Sequence, residues 1–330
     1  MRRRAFLAGA AAMSARGDAP RSKMGLVTNS FMTVKRPRDP HAFLEDAAAL
    51  GAAGIQAPPP APGTAAKLRE RAERLGMYYE AMIPLAGDDP EAFEKILVTC
   101  KEAGADTVRA GCLSGRRYET FSSLEDWKRF VAESKAKLRR TIPLCAKHKV
   151  RLALENHKDW TVEEFLSLLK EFEDPWFGVT LDTGNNVALL DDADAVCEAL
   201  APYTFSTHLK DMGVQPYEDG FLLSEVPFGE GYVDVRRAIE LIRKHQPKTR
   251  FNLEMITRDP LKIPCLTDKY WATMPGRPGR LLAHTLRVAR QKQPRQGLPY
   301  ITPLPKPAQA RWEEDNVKQC LTYARNHYGL

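Results

Sequence analysis

From Met24 onward the chain alternates between two patterns. Short runs of apolar and β-branched residues, with few polar interruptions, read as strands buried on both faces. Between them lie longer segments whose apolar residues recur at helical spacing. The strand-like runs fall at 24–31, 54–57, 78–85, 106–113, 151–157, 177–183, 204–211 and 250–256, and the helical ones at about 40–50, 63–75, 89–103, 123–148, 162–172, 192–201, 233–245 and 279–292. Asp89-Pro90-Glu91 and Thr161-Val162-Glu163-Glu164 are helix starts, because acidic residues suit the positive end of the first turn. Eight strand-helix units predict an α/β protein of the (β/α)8 barrel kind. An open doubly wound sheet is the alternative, but no glycine-rich phosphate loop follows the first run.

The ends of the chain break the alternation. Residues 293–307 carry Pro294, Pro299, Pro303, Pro305 and Pro307, which predicts irregular chain ahead of one last helix over about 309–328. Three parts follow: 1–23, a barrel over 24–292, and a C-terminal extension over 293–330. A second proline-bearing insertion, 258–271, follows the eighth strand, where a barrel carries its lids.

Composition alters this picture little. An apolar fraction of 43% with 28% charged residues is that of a soluble globular protein. The net charge of +7 is concentrated in the first 23 residues, where Arg2, Arg3, Arg4, Arg16, Arg21 and Lys23 face only Asp18. A nucleic-acid-binding face is therefore not expected. The same stretch, with Arg3-Arg4-Ala5-Phe6-Leu7 ahead of an alanine-rich run, resembles a twin-arginine signal. That resemblance implies an encounter with the twin-arginine export machinery and a periplasmic or extracytoplasmic location; a basic tail on a cytoplasmic protein is the other reading. The apolar run is too short for stable membrane insertion. Six widely spaced cysteines form neither a zinc pattern nor a disulfide framework, although an exported chain could close one bridge.

The chemistry is concentrated at the ends of four strands. Glu155, Asp182, His208 and Glu254 close the fifth to eighth apolar runs, and strand ends converge on one mouth in a barrel. Three carboxylates and an imidazole form a mostly oxygen donor set for one divalent metal ion, Mn²⁺ first, with Mg²⁺, Co²⁺ and Zn²⁺ also compatible. The bland alternative is four separate caps or ion pairs.

The ordered segments Leu-Glu155-Asn-His, Leu-Asp182-Thr-Gly-Asn, Thr-His208-Leu-Lys-Asp and Leu-Glu254-Met resemble the xylose-isomerase-like TIM barrel superfamily of sugar isomerases, epimerases and inosose dehydratases, over about 24–292. The resemblance implies that the four residues bind one metal and that Glu155 and Glu254 are the catalytic acid and base. Many relatives carry histidine where this chain has Asn185, an amide that hydrogen-bonds hydroxyls but carries no proton at neutral pH. The DNA-repair branch resembling endonuclease IV needs further histidines that are missing here.

Other residues join the expected substrate site. His157 shares the facing of Glu155 by strand periodicity, and either meets substrate or bonds a neighbouring strand. Lys210 holds a substrate oxygen, donates a proton, or pairs with Asp182 or Glu254. Arg109 anchors a carboxylate, phosphate or hydroxyls, or forms a structural ion pair, and Arg258, four residues after Glu254, is expected to bind substrate. Trp271 forms an apolar wall against a sugar or packs within the lid; Gln56 and Glu80 are weaker mouth candidates.

A hydroxyl-ketone unit can chelate one metal, which stabilises an enediolate. Proton return to the same carbon gives an epimerase and to its neighbour an isomerase. Departure of a β-substituent gives a dehydratase, or a lyase on an inosose or 3-keto-glycoside. A sugar- or metal-binding barrel without turnover is the non-enzymatic reading. The substrate expected is a small carbohydrate, and a homo-oligomer stays open.

Overall fold

The structure, a computed structural model, describes residues 21–33 and 36–330. Most of the twin-arginine-like stretch, 1–20, lies outside the described residues. Eleven strands are present among them: β1 Met24–Val27, β2 Gly54–Ala57, β3 Tyr78–Met82, β4 Thr107–Ala110, β5 Arg151–Glu155, β6 Phe177–Asp182, β7 Thr204–His208, β8 Asp211–Tyr217, β9 Gly220–Val226, β10 Phe251–Leu253 and β11 Leu261–Ile263. Eight form one parallel sheet in the order β10-β1-β2-β3-β4-β5-β6-β7. The seam between β7 and β10 is closed by a bridge between Leu209 and Leu253, so the sheet is a nearly closed TIM barrel.

The expected helices are in place, for physical reasons visible in the chain. Helix Pro90–Glu102 starts on Asp89, whose carboxylate accepts from the Ala92 N–H, with proline in the first turn. Helix Val162–Glu171 starts on a reciprocal pair in which Thr161 and Glu164 each accept from the other's backbone N–H. Such caps fix where each crossover leaves its strand, and hence where the strand end points.

The seventh expected strand, 204–211, is divided. β7 ends at His208, and Asp211 begins an antiparallel hairpin in which it pairs with Val226. Asp211 accepts from the N–H groups of Met212, Gly229, Gly231 and Val233, which ties both feet of the hairpin together. The first strand is likewise shorter than expected, because 28–31 curls into a 3-10 turn. β11 pairs with β9, so the insertion after β10 is anchored to the hairpin rather than hanging as a separate lid.

The C-terminal helix Lys306–Tyr323 packs beside the barrel and reaches its rim. Glu313 accepts from the Thr33 N–H at 2.7 Å, and Asn316 donates to Thr257 Oγ1 at 2.9 Å. All six cysteines are free, five of them buried, so the structure has no disulfide. No helix of the described residues is long and apolar enough to cross a membrane.

Candidate metal centre and active site

Glu155 is the last residue of β5, Asp182 of β6 and His208 of β7, while Glu254 directly follows β10. Strand direction carries all four to one end of the barrel, where their ligand atoms lie within 4.8 Å of one another and all are buried. Asn156 joins two of these strand ends: its side chain donates to the Asp182 carbonyl and accepts from the Asp182 N–H, both at 2.8 Å.

The imidazole of His208 shows what the cluster is built to hold. Its Nε2 lies 2.6 Å from Gln56 Oε1, and the Gln56 amide is oriented by donating to Glu80 and Ser206. An amide oxygen can only accept, so Nε2 carries the proton and Nδ1 presents a lone pair. That Nδ1 has no hydrogen-bond partner and lies 3.4 Å from Glu155 Oε1, 3.4 Å from Glu254 Oε1 and 3.9 Å from Asp182 Oδ2. Burial pushes the imidazole pKa down to about 4, so the neutral form prevails. A neutral nitrogen lone pair facing three carboxylate oxygens in a buried space is a donor set suited to a cation. The residues therefore fit a divalent metal.

Around the quartet each carboxylate is held by a specific partner. Glu155 forms an ion pair with Arg109 and accepts from Asn185 Nδ2 at 3.0 Å. Asp182 Oδ1 accepts the N–H groups of Gly184 and Asn185, leaving Oδ2 facing the centre. Glu254 accepts from Asn29 Nδ2 at 2.7 Å and contacts Lys210, which also lies 2.8 Å from Asp182 Oδ2. Burial pushes the Glu254 carboxyl up, but the Lys210 ammonium outweighs it and holds the carboxyl well below the usual carboxylate range.

Above the quartet lies a cavity of about 810 Å³ lined by Glu155, Glu254, His157, Asn185, Lys210, Arg109 and Arg258. Of the expected substrate residues these are brought together. His157 Nδ1 is buried with no partner, and Arg258 is paired with Glu225 at 2.7 Å. Trp271 is not brought there. Its indole N–H donates to the Cys265 carbonyl and its ring packs edge-on against Tyr270, because the short helix Asp268–Trp271 turns inward on the buried Tyr270 instead. Gln56 and Glu80 lie below the mouth in the barrel interior, where they fix His208.

Three participants escaped sequence reasoning. Asn29 sits on the 3-10 turn where a strand was expected. Arg36 lines the cavity from the loop after it. Lys158 also lines the cavity although it is one residue past His157, where alternation would have turned it away; β5 has already ended. For Lys158, a basic residue just beyond a strand end was the available signal.

Residues 44–286 match the family model described as xylose isomerase-like TIM barrel. The chain is 27% identical over 238 residues to a 3-oxo-isoapionate decarboxylase of Pectobacterium atrosepticum, a match covering 68% of this chain and 82% of that protein. Among solved structures it resembles D-psicose 3-epimerase from Clostridium cellulolyticum H10, with a TM-score of 0.54 at 14% identity over 81% of this chain and 96% of that one. It also resembles the probable 3-DHS dehydratase AsbF of Bacillus anthracis, with a TM-score of 0.52 at 16% identity over 81% of this chain and 98% of that one. These two similarities show the fold.

Proposed function

Because the chain belongs to the xylose isomerase-like TIM barrel family, we propose that it is a divalent-metal-dependent enzyme that moves a proton at the carbon beside the carbonyl of a small oxo-sugar, as an isomerase or epimerase. The observation that carries this reading is the lone pair of His208 Nδ1 facing Glu155, Asp182 and Glu254, with both glutamates also lining the cavity. A divalent cation held by these four, Mn²⁺ first given the mostly oxygen donors, supplies charge that stabilises the negative oxygen developing as the proton leaves.

The protein's own groups supply the rest. Glu254, kept ionised by Lys210 and oriented by Asn29, takes the proton. Glu155, oriented by Arg109 and Asn185, returns one from a different strand end. Asn185, which cannot shuttle protons, positions hydroxyls and leaves proton transfer to the glutamates. His157, Arg109, Lys210 and Arg258 orient substrate.

A second reading has a specific observation behind it. Seven basic side chains line the cavity against three carboxylates, a balance suited to an anion. With a 3-oxo acid, the bond to the carboxylate would break, its electron pair would pass to the carbonyl oxygen, carbon dioxide would leave and a proton would replace it at carbon. The name of the Pectobacterium relative supports this lyase outcome.

Incubation of the Mn²⁺-loaded protein in D₂O with ketoses, inososes, 3-keto-glycosides and 3-oxo acids tests the proposal. Metal-dependent deuterium entry beside a carbonyl, followed by NMR, is expected, and the product separates the two outcomes. A metal-loaded protein that exchanges with none of them refutes both.

A further inference from the structure

Lys158 is 4% exposed, yet its ammonium has no carboxylate partner among the described residues. Its side-chain contact is the amide oxygen of Asn185. Burying an ammonium without a counter-charge is costly, so such a group in a cavity wall is suited to bind an anion. Burial and the neighbouring cations Lys210 and Arg258 push its pKa down to about 7 against the opposing pull of Glu225 and Asp182, neither of which pairs with it, which agrees with that deficit.

The surroundings repeat the deficit. Lys210 is matched by Asp182 and Glu254, Arg258 by Glu225 and Arg109 by Glu155. Arg36, across the cavity, contacts only Thr28 Oγ1 and the Met82 sulfur among the described residues. The three carboxylates of the quartet already touch two cations. A divalent ion makes that group net positive before Lys158 and Arg36 are counted.

Position narrows the class of anion. Lys158 bonds Asn185, whose amide donates to Glu155 at 3.0 Å, so the ammonium is one side chain from the metal quartet. A charge held there belongs to a group on or beside the reacting carbons. A phosphate ester at the far end of a sugar would lie toward the mouth instead.

We propose that Lys158, assisted by Arg36, is the carboxylate-binding subsite of this cavity, and that the natural substrate is a small polyhydroxylated oxo acid rather than a neutral sugar. The inference rests on the oxo-sugar reading above and narrows it. Lys158 donates charge-assisted hydrogen bonds to the carboxylate while Arg36, on the loop after the 3-10 turn, adds positive charge from another part of the cavity wall.

The test is calorimetric titration of the full-length Mn²⁺-loaded protein with D-gluconate, its neutral counterpart D-glucitol, and D-glucitol 6-phosphate. None has a carbonyl to react, so binding is read without turnover, and a failure of the proposed chemistry in D₂O leaves this result independent. Gluconate is expected to bind at least about tenfold more tightly than glucitol. Lys158→Met should abolish that preference while leaving glucitol and Mn²⁺ affinities unchanged, Lys158→Arg should restore part of it, and the exposed Arg36→Gln should weaken it. Equal affinities, no gluconate binding, a preference that survives Lys158→Met, or tighter binding of the phosphate ester would each overturn the proposal. If Lys158→Met does not fold, Lys158→Gln and Arg36→Gln carry the same comparison.

Discussion

Gln56 Oε1 accepts the Nε2 proton of His208 at 2.6 Å, and this one contact aims the opposite nitrogen at three carboxylates. The glutamine stands one residue before the end of β2 and hydrogen-bonds none of the other three ligands. Its influence on the centre passes through the histidine tautomer.

Gln56→Leu should therefore weaken Mn²⁺ binding about 10- to 100-fold, because the freed imidazole can rotate or place its proton on Nδ1. Calorimetric titration of the apoprotein reads this directly. Unchanged affinity in a folded Gln56→Leu variant would mean that the tautomer is set elsewhere.

Replacement of either glutamate by its amide should lower the rate of deuterium exchange by about 10²- to 10⁴-fold. Glu254→Gln keeps the acceptor for Asn29 and loses the base, so affinity for an unreactive ligand should change far less than turnover. Loss of affinity equal to the loss of rate would reassign Glu254 to binding alone.

Lys158 ties stability to pH. Its pKa is lowered from 10.5 to about 7, so between those values the unfolded chain holds a proton that the folded one has released. Stability must then rise with pH across that window, and the full cost of burying the charge is felt below about 7. Lys158→Met should raise unfolding free energy by on the order of 5 kcal/mol below about pH 7, with the gain fading toward 10.5. Urea unfolding at several pH values reads the difference; a pH-independent gain would place the lysine in contact with water or a counter-charge.

Trp271→Ala separates packing from recognition. With its indole bonded to the Cys265 carbonyl, away from the cavity, the change should cost about 2 kcal/mol of stability and leave KM within about twofold. A large rise in KM with little loss of stability would return Trp271 to the substrate wall.

The alternation of buried runs and amphipathic segments determined the barrel, because a parallel strand covered on both faces and its crossover helix carry unmistakable periods. It also determined the metal quartet: strand ends of a barrel meet at one mouth whatever loops join them, so Glu155, Asp182, His208 and Glu254 could be grouped from sequence. Beyond the strand ends, periodicity no longer sets where a side chain points. The hairpin Asp211–Val226 was missed despite an Asp219-Gly220 turn signal, since antiparallel pairing off the barrel does not follow from the strand-helix repeat. Lys158, Asn29 and Arg36 stand on turns, where side-chain direction is set by local dihedrals and not by position in a repeat. Tertiary structure alone decided which charges meet: that Lys210 and Arg109 find carboxylates while Lys158 is buried without one. That pairing is a property of three-dimensional neighbours, and it turns a recognisable metal site into one with a preference for anions.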